Sequence, residues 1–228
     1  MHRIIHTRFA IVAMLSLVAV VTGAACSTTP TNTNTNTRNT TTATPSPTAS
    51  PMGGMSNMNV GMGGMNMQTS PNAASQPYDL QFLDTMTAHH QSAIDMARPA
   101  VTKAQHADLK VFAQKIITDQ EGEVAEMRRY REQWYAGKPQ AMNMEMSGMM
   151  DSMKGMDMNR MNAATGKEYD LMFLDMMTAH HAGATTMARE ALTKAEHPEI
   201  KTLANQIIKA QEAEIKQMAD WKAKWSKQ

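Results

Sequence analysis

A twelve-residue stretch, DLQFLDTMTAHH, returns later in the chain as DLMFLDMMTAHH, and this duplication limits what the polypeptide can become. At a constant offset of 91 residues and without a gap, Tyr78 recurs as Tyr169, His89 as His180, Gln120 as Gln211 and Trp134 as Trp225. A fold that accommodates one copy must accommodate the second. Any site built on the repeated stretch exists twice, or once where the two copies meet.

Each copy reads as a helical hairpin. At about 100° per residue, Phe82, Leu83, Met86, Ala93 and Ala97 share one arc of a helix, and His89 and His90 fall within it. The first helix is expected from Tyr78 to about Ala100, with Pro99 terminating or kinking it; the second copy has Glu190 there and continues. A short turn, TKAQHAD in one copy and TKAEHPE in the other, leads to a second helix. Its apolar stripe is Leu109, Ala113, Ile116, Ile117, Val124, Met127 and Trp134, matched by Ile200, Ala204, Ile207, Ile208, Ile215, Met218 and Trp225. Pro198 suits the first turn of a helix. Two hairpins with apolar faces too large to leave in water predict an all-α, antiparallel four-helix bundle.

Polar residues interrupt the stripes. Both imidazoles of each His pair point at the core or its margin, and a buried ring nitrogen needs a partner. They are either hydrogen-bonded core residues or metal ligands; an adjacent pair beside a thioether, written twice, favours ligation. Glu123 and Glu214 lie at solvated edges or face the histidine helices, as ligands or as acceptors that fix a histidine tautomer. Gln120 and Gln211 border the same region. His106 and His197, in the turns far from the His pairs, read as turn or capping residues.

The rest of the chain supplies an address and an unusual composition. Residues 1–25, basic and then apolar and small, are expected to be a signal peptide. Cys26, the only cysteine, stands where a bacterial lipoprotein carries its lipidated residue, although Gly23 occupies the position where Leu is usual. Ordinary signal cleavage and a retained helix are the alternatives, the last weakened by an apolar run marginal for a full span. Without a further thiol, neither a disulfide scaffold nor a thiolate site is available. Residues 26–76, rich in Thr, Asn and Pro and then in Met and Gly, predict a disordered tether. A net charge of +1 gives no reason to invoke nucleic acid. The hairpins occupy 77–136 and 167–228. Between them, 137–166 holds nine of the 25 methionines without helical periodicity, which predicts a functional or disordered loop whose thioethers offer soft, labile ligation to Cu(I).

Two copies of F-L-D-x-M-T-A-H-H followed by A-x-x-M-A, then Q-E-x-E and a late Trp, resemble the domain-of-unknown-function family numbered 305 over residues 78–226. The resemblance implies a ferritin-like bundle in an exported bacterial protein, with copper as the metal. It places the family motif on Met86, His89, His90 and Met96, and on Met177, His180, His181 and Met187; Ala88 and Ala179 depart from the Pro or Val common before the histidines. The candidate metal set is these eight residues with Glu123 and Glu214. The expected function is copper sequestration or transfer at the cell envelope, in Cu(I) or Cu(II) form, by a protein anchored through Cys26 that acts on a metal ion, with a delivery partner or a second copy as further candidates. A non-metal helical interaction module is the alternative. A di-metal oxidase is disfavoured because no E-x-x-H occurs and Asp84 and Asp175 lie on the opposite helical face, so no catalytic role is expected.

Overall fold

The computed structural model describes residues 67–227. The signal segment, Cys26 and most of the expected tether lie outside the described residues. Four long helices carry the structure: α1 (Tyr78–Lys103), α2 (Ala107–Tyr135), α5 (Gly166–Lys194) and α6 (Pro198–Trp225), with two short helices, α3 (Met149–Ser152) and α4 (Met158–Ala163), between the hairpins. The described residues form no strand, and none of their helices is long and apolar enough to cross a membrane.

Helices α1 and α2 form one hairpin and α5 and α6 the other; α1 and α5 join them. The small residues Ala93, Ala97, Ala184 and Ala188 are fully buried on these two helices, which lets their backbones approach. The start of each central helix meets the end of the other hairpin's first helix, so α1 and α5 run antiparallel. This is the expected antiparallel bundle of two duplicated hairpins.

Those junctions are polar and reciprocal. Asp79, at the start of α1, accepts hydrogen bonds from Glu196 N at 3.0 Å, His197 N at 2.9 Å and His197 Nδ1 at 2.7 Å. Asp170, at the start of α5, accepts from Gln105 N at 2.9 Å, His106 N at 2.9 Å and His106 Nδ1 at 2.6 Å. Each carboxylate thus sits at the N-terminus of the other hairpin's second helix, where backbone N–H groups and the helix dipole favour an anion. The outer faces of the imidazoles are covered in the same crossed fashion. Trp225 stacks on His106 with ring centroids 3.8 Å apart, and Trp134 on His197 at 3.9 Å. The turn histidines are therefore fasteners between hairpins, as well as N-caps of α2 and α6.

Three expectations need correction. Pro99 lies inside α1, which continues to Lys103, the position matching the end of α5. The carbonyl its ring deprives of a partner belongs to Asp95 on the exposed side of the helix, where water can replace the lost donor. The folded part also begins earlier than residue 77. Residues 67–76 lie along the linker, with Ser70 N donating to Met142 O at 2.7 Å and Met144 N donating to Thr69 Oγ1 at 3.1 Å, and Ala73 is buried.

The linker itself is packed, in place of the loop of accessible thioethers that its composition suggested. Met142, Met146, Met149, Met156 and Met161 are buried and join the core or its margin, and Met150 alone among the linker methionines is exposed. A close backbone contact holds the segment down: a Cβ on Gly183 of α5 would lie 2.3 Å from Ser152 Cβ and 2.5 Å from Gly148 O. Gly148 itself has φ +84°, a left-handed conformation that glycine adopts without strain. Unbranched methionine suits this irregular seam because it fills gaps that branched side chains cannot.

Candidate metal centre

The repeated histidines meet at the middle of the α1/α5 interface. His89 and His180 face each other with ring centroids 3.8 Å apart and planes 40° from parallel. His90 and His181 flank them, each 6.3 Å from its neighbour, so the imidazoles run in the order His90, His89, His180, His181. All four are at most 1% exposed. On the same helices Met86, Met96, Met177 and Met187 are fully buried, at helical spacings that put them on the histidine face. The second helices add Met127 and Met218, also fully buried.

The outer histidines are held by the glutamates. His90 Nε2 lies 2.8 Å from Glu123 Oε2, and His181 Nε2 lies 2.9 Å from Glu214 Oε2. Both glutamates therefore face the histidine helices, one of the two positions open from sequence. Their surroundings differ. Lys115 donates to Glu214 Oε1 at 2.8 Å, whereas position 206, which the duplication would set beside Glu123, is Gln. Burial alone would raise the Glu214 pKa, but the hydrogen bonds and charges of His181 and Lys115 outweigh it and hold this carboxyl below the usual value.

The inner pair is electrostatically isolated. Burial, then the nearness of His90 and His181, pushes the His89 pKa well below that of a free histidine. Burial and the other three histidines do the same to His180 against a small opposing backbone contact. Both rings are neutral at physiological pH, the form in which a histidine binds a metal.

An accounting of buried polar atoms sets this region apart. Among the described residues, both ring nitrogens of His89, Nδ1 of His90, His180 and His181, and both amide atoms of Gln120 and Gln211 have no hydrogen-bond partner; outside this group only the Tyr78 and Tyr169 hydroxyls, at the starts of α1 and α5, are in the same position. Each such atom costs on the order of 1–3 kcal/mol when left unsatisfied, and a native core retains few. Their concentration around one row of imidazoles fits a ligand better than packing. No three His, Cys, Asp or Glu side chains among the described residues are grouped to hold an ion. The other donor type buried on the same helices is the methionine thioether, which suits a soft ion over a hard ion in an oxygen cage. Asp84 and Asp175 do not contribute: Asp84 pairs with Arg131 at 2.8 Å and Asp175 with Lys222.

Two residues of this centre were not singled out from sequence. Ser92 bonds across to His180 Nε2 at 2.7 Å, and Lys115 reaches Glu214. Both positions differ between the copies, Ser92 against Gly183 and Lys115 against Gln206, but so do about half of the aligned positions, and no signal in the sequence singled these two out.

Fold and centre together define a class of protein: an all-α bundle of duplicated hairpins whose histidines meet at the junction of the copies, with buried methionines on the same helices. The chain belongs to the family described as Domain of unknown function (DUF305), whose profile matches residues 28–131 and again 79–222. Among solved structures it is similar to CopM in the Cu(II)-bound form, with 42% identity, 64% of this chain and 97% of that chain covered, and a TM-score of 0.56. CopM in the Cu(I)-bound form aligns with 39% identity over 64% of this chain and 96% of that one, with a TM-score of 0.55. A DUF305 protein from Streptomyces coelicolor, described as secreted, aligns with 25% identity over 68% of this chain and 96% of that one, with a TM-score of 0.58. A comparison with curated proteins gives no match.

Proposed function

We propose that this protein binds copper at the bundle centre and stores it or hands it on at the cell envelope, outside the cytoplasm, tethered through a lipidated Cys26. The observation that carries the reading is the row of four buried imidazoles with unpartnered nitrogens, on helices that also carry fully buried Met86, Met96, Met177 and Met187. Imidazole accepts Cu(I) or Cu(II) and thioether favours Cu(I), so a mixed set holds the ion through a change of oxidation state. Support comes from the similarity to CopM, solved with Cu(II) and with Cu(I) bound. The signal-like N-terminus and the secreted relative support export.

Within the linker, Met150 is the thioether most open to an ion in solvent, with Met144, Met153 and Met158 partly exposed. Labile capture there is confined to these few, and the buried methionines serve packing. The role is binding and transfer without a catalytic step.

Anaerobic Cu(I) and aerobic Cu(II) titration of the purified protein, with bound metal measured after desalting, tests the reading. The expected result is stoichiometric retention that is lost in the His89→Ala/His90→Ala variant. Unchanged retention in that variant contradicts copper at this centre. Membrane-fraction partitioning of the wild-type chain and Cys26→Ala tests the anchor separately.

A further inference from the structure

The four central histidines differ in how their two ring nitrogens are engaged, and the difference dictates which nitrogen is offered to an ion. A neutral imidazole carries one N–H, and a carboxylate only accepts. In the neutral form, the one that ligates a metal, His90 and His181 facing Glu123 and Glu214 therefore hold their proton on Nε2, which leaves a bare lone pair on each Nδ1. Ser92 imposes the same tautomer on His180 by another route. Its single hydroxyl proton goes to the His89 carbonyl oxygen at 2.7 Å. The hydroxyl oxygen, 2.7 Å from His180 Nε2, is then an acceptor, and Nε2 must be the donor. The Nδ1 atoms of all three are buried and unpartnered among the described residues.

His89 is the exception, with neither nitrogen engaged. By the duplication, the residue that would serve it as Ser92 serves His180 is Gly183, and a side chain there would run into Ser152 and the Gly148 carbonyl. Docking of the methionine-rich linker thus removes the hydroxyl from one half of the site. The pseudo-twofold centre becomes unequal at its innermost pair.

We infer that where His90, His180 and His181 ligate copper they do so through Nδ1, with no three of them on one ion. Glu123, Glu214 and Ser92 act as positioning residues that present those lone pairs, and His89 is the adjustable ligand free to offer either nitrogen. This rests on the copper-binding reading above and gives the glutamates the second of the two parts open from sequence, acceptors that fix a histidine tautomer in place of metal ligands. Hydrogen-bond partners on the far nitrogen of a ligating histidine fix its tautomer and orientation, and losing one lowers metal affinity about 10–100-fold.

Long-range proton–nitrogen NMR of protein labelled with 15N-histidine tests the assignment, first metal-free and then with Cu(I), which is diamagnetic. In metal-free protein His90, His180 and His181 are expected as Nε2–H tautomers; an Nδ1–H tautomer at His180 overturns the inference without bearing on copper. On adding Cu(I), the Nδ1 resonances are expected to move. Stoichiometric Cu(I) binding that moves the Nε2 resonances overturns the inference and leaves copper binding intact, whereas failure to bind Cu(I) overturns both. Ser92→Ala is expected to give His180 mixed tautomers and about 10–100-fold weaker Cu(I) binding with an unchanged far-ultraviolet spectrum. Glu123→Gln, which keeps a carbonyl acceptor, is expected to hold the His90 tautomer and most of the affinity that Glu123→Ala loses. A carboxylate that ligated copper directly would instead lose affinity in both variants, and that result refutes the positioning role.

Discussion

Replacing Asp79 with Ala is expected to destabilise the bundle by about 3 kcal/mol, through a contact between hairpins and not within one. The carboxylate is 1% exposed and collects two backbone N–H groups and the His197 ring. Hydrogen bonds to a charged acceptor contribute about 1.5–3 kcal/mol each, so three set an upper limit near 9 kcal/mol. The donors recover part of this by hydration, because the His197 side chain is 32% exposed, which lowers the expected cost to about 3 kcal/mol, the lower end for breaking a buried ionic contact. For a chain of this size that corresponds to about 6–12 °C in Tm. Urea denaturation of Asp79→Ala, His197→Ala, His106→Ala and the paired variants separates the contributions. Asp79 and His197 are expected to couple by about 1–2 kcal/mol, and Asp79 and His106 to be additive within about 0.5 kcal/mol. Coupling of Asp79 to His106, in its own hairpin, would refute the crossed arrangement, as would a loss below about 1 kcal/mol.

Acidification provides a second test. His89 and His180 have folded pKa values well below the ordinary one, so the unfolded chain binds more protons below about pH 6.5. Stability is expected to be level above that pH and to fall below it, with a limiting slope near 1.4 kcal/mol per pH unit for each histidine; urea midpoints that stay level or rise on acidification from about pH 7 to 5 contradict the neutral inner pair. Gly183→Ala is expected to cost about 1–3 kcal/mol, the usual range for overpacking, and to expose the linker to limited proteolysis, because the new Cβ would lie 2.3 Å from Ser152 Cβ; wild-type cleavage kinetics would count against the close contact. Lys115→Met removes one of the influences that lower the Glu214 pKa, so its carboxyl, followed by 13C NMR, is expected to titrate at higher pH than in the wild type.

The helices and their partnership were legible because apolar residues on a 3.6 period have one efficient way to leave water. The same arithmetic aimed His89, His90, Glu123 and their copies inward. It could not show that Asp79 belongs to the His197 turn and Asp170 to the His106 turn. Each aspartate looks like an ordinary first-turn acid in its own helix, and only the antiparallel docking of α1 on α5 brings it to the opposite hairpin. The linker was opaque for a different reason. Methionine packs without periodicity, so 137–166 gives no helical signature even where Met149 and Met161 are fully buried. Its strongest clue was one glycine, Gly183, which sequence presents as a minor divergence between copies and the fold uses as a landing point.

Polar satisfaction is distributed unevenly along the bundle, and that unevenness is what a binding site in a stable helical core requires. At the two ends, Asp79 and Asp170 each gather a histidine ring and backbone donors under a stacked tryptophan. At the middle, ring nitrogens and the Gln120 and Gln211 amides lack partners among the described residues, against the Tyr78 and Tyr169 hydroxyls alone at the ends. Unsatisfied atoms at about 1–3 kcal/mol each would consume much of a stability of 5–15 kcal/mol, so the deficit persists only where surrounding structure holds the helices in place. The reciprocal end contacts fix the spacing of α1 and α5, and that spacing keeps His89 and His180 in contact instead of allowing them to part and hydrate. An ion that satisfies the central nitrogens in the folded state alone would stabilise the protein in proportion to its occupancy. Weakening an end contact should therefore loosen metal binding as well as the fold, although Asp79 and Asp170 touch none of the central histidines.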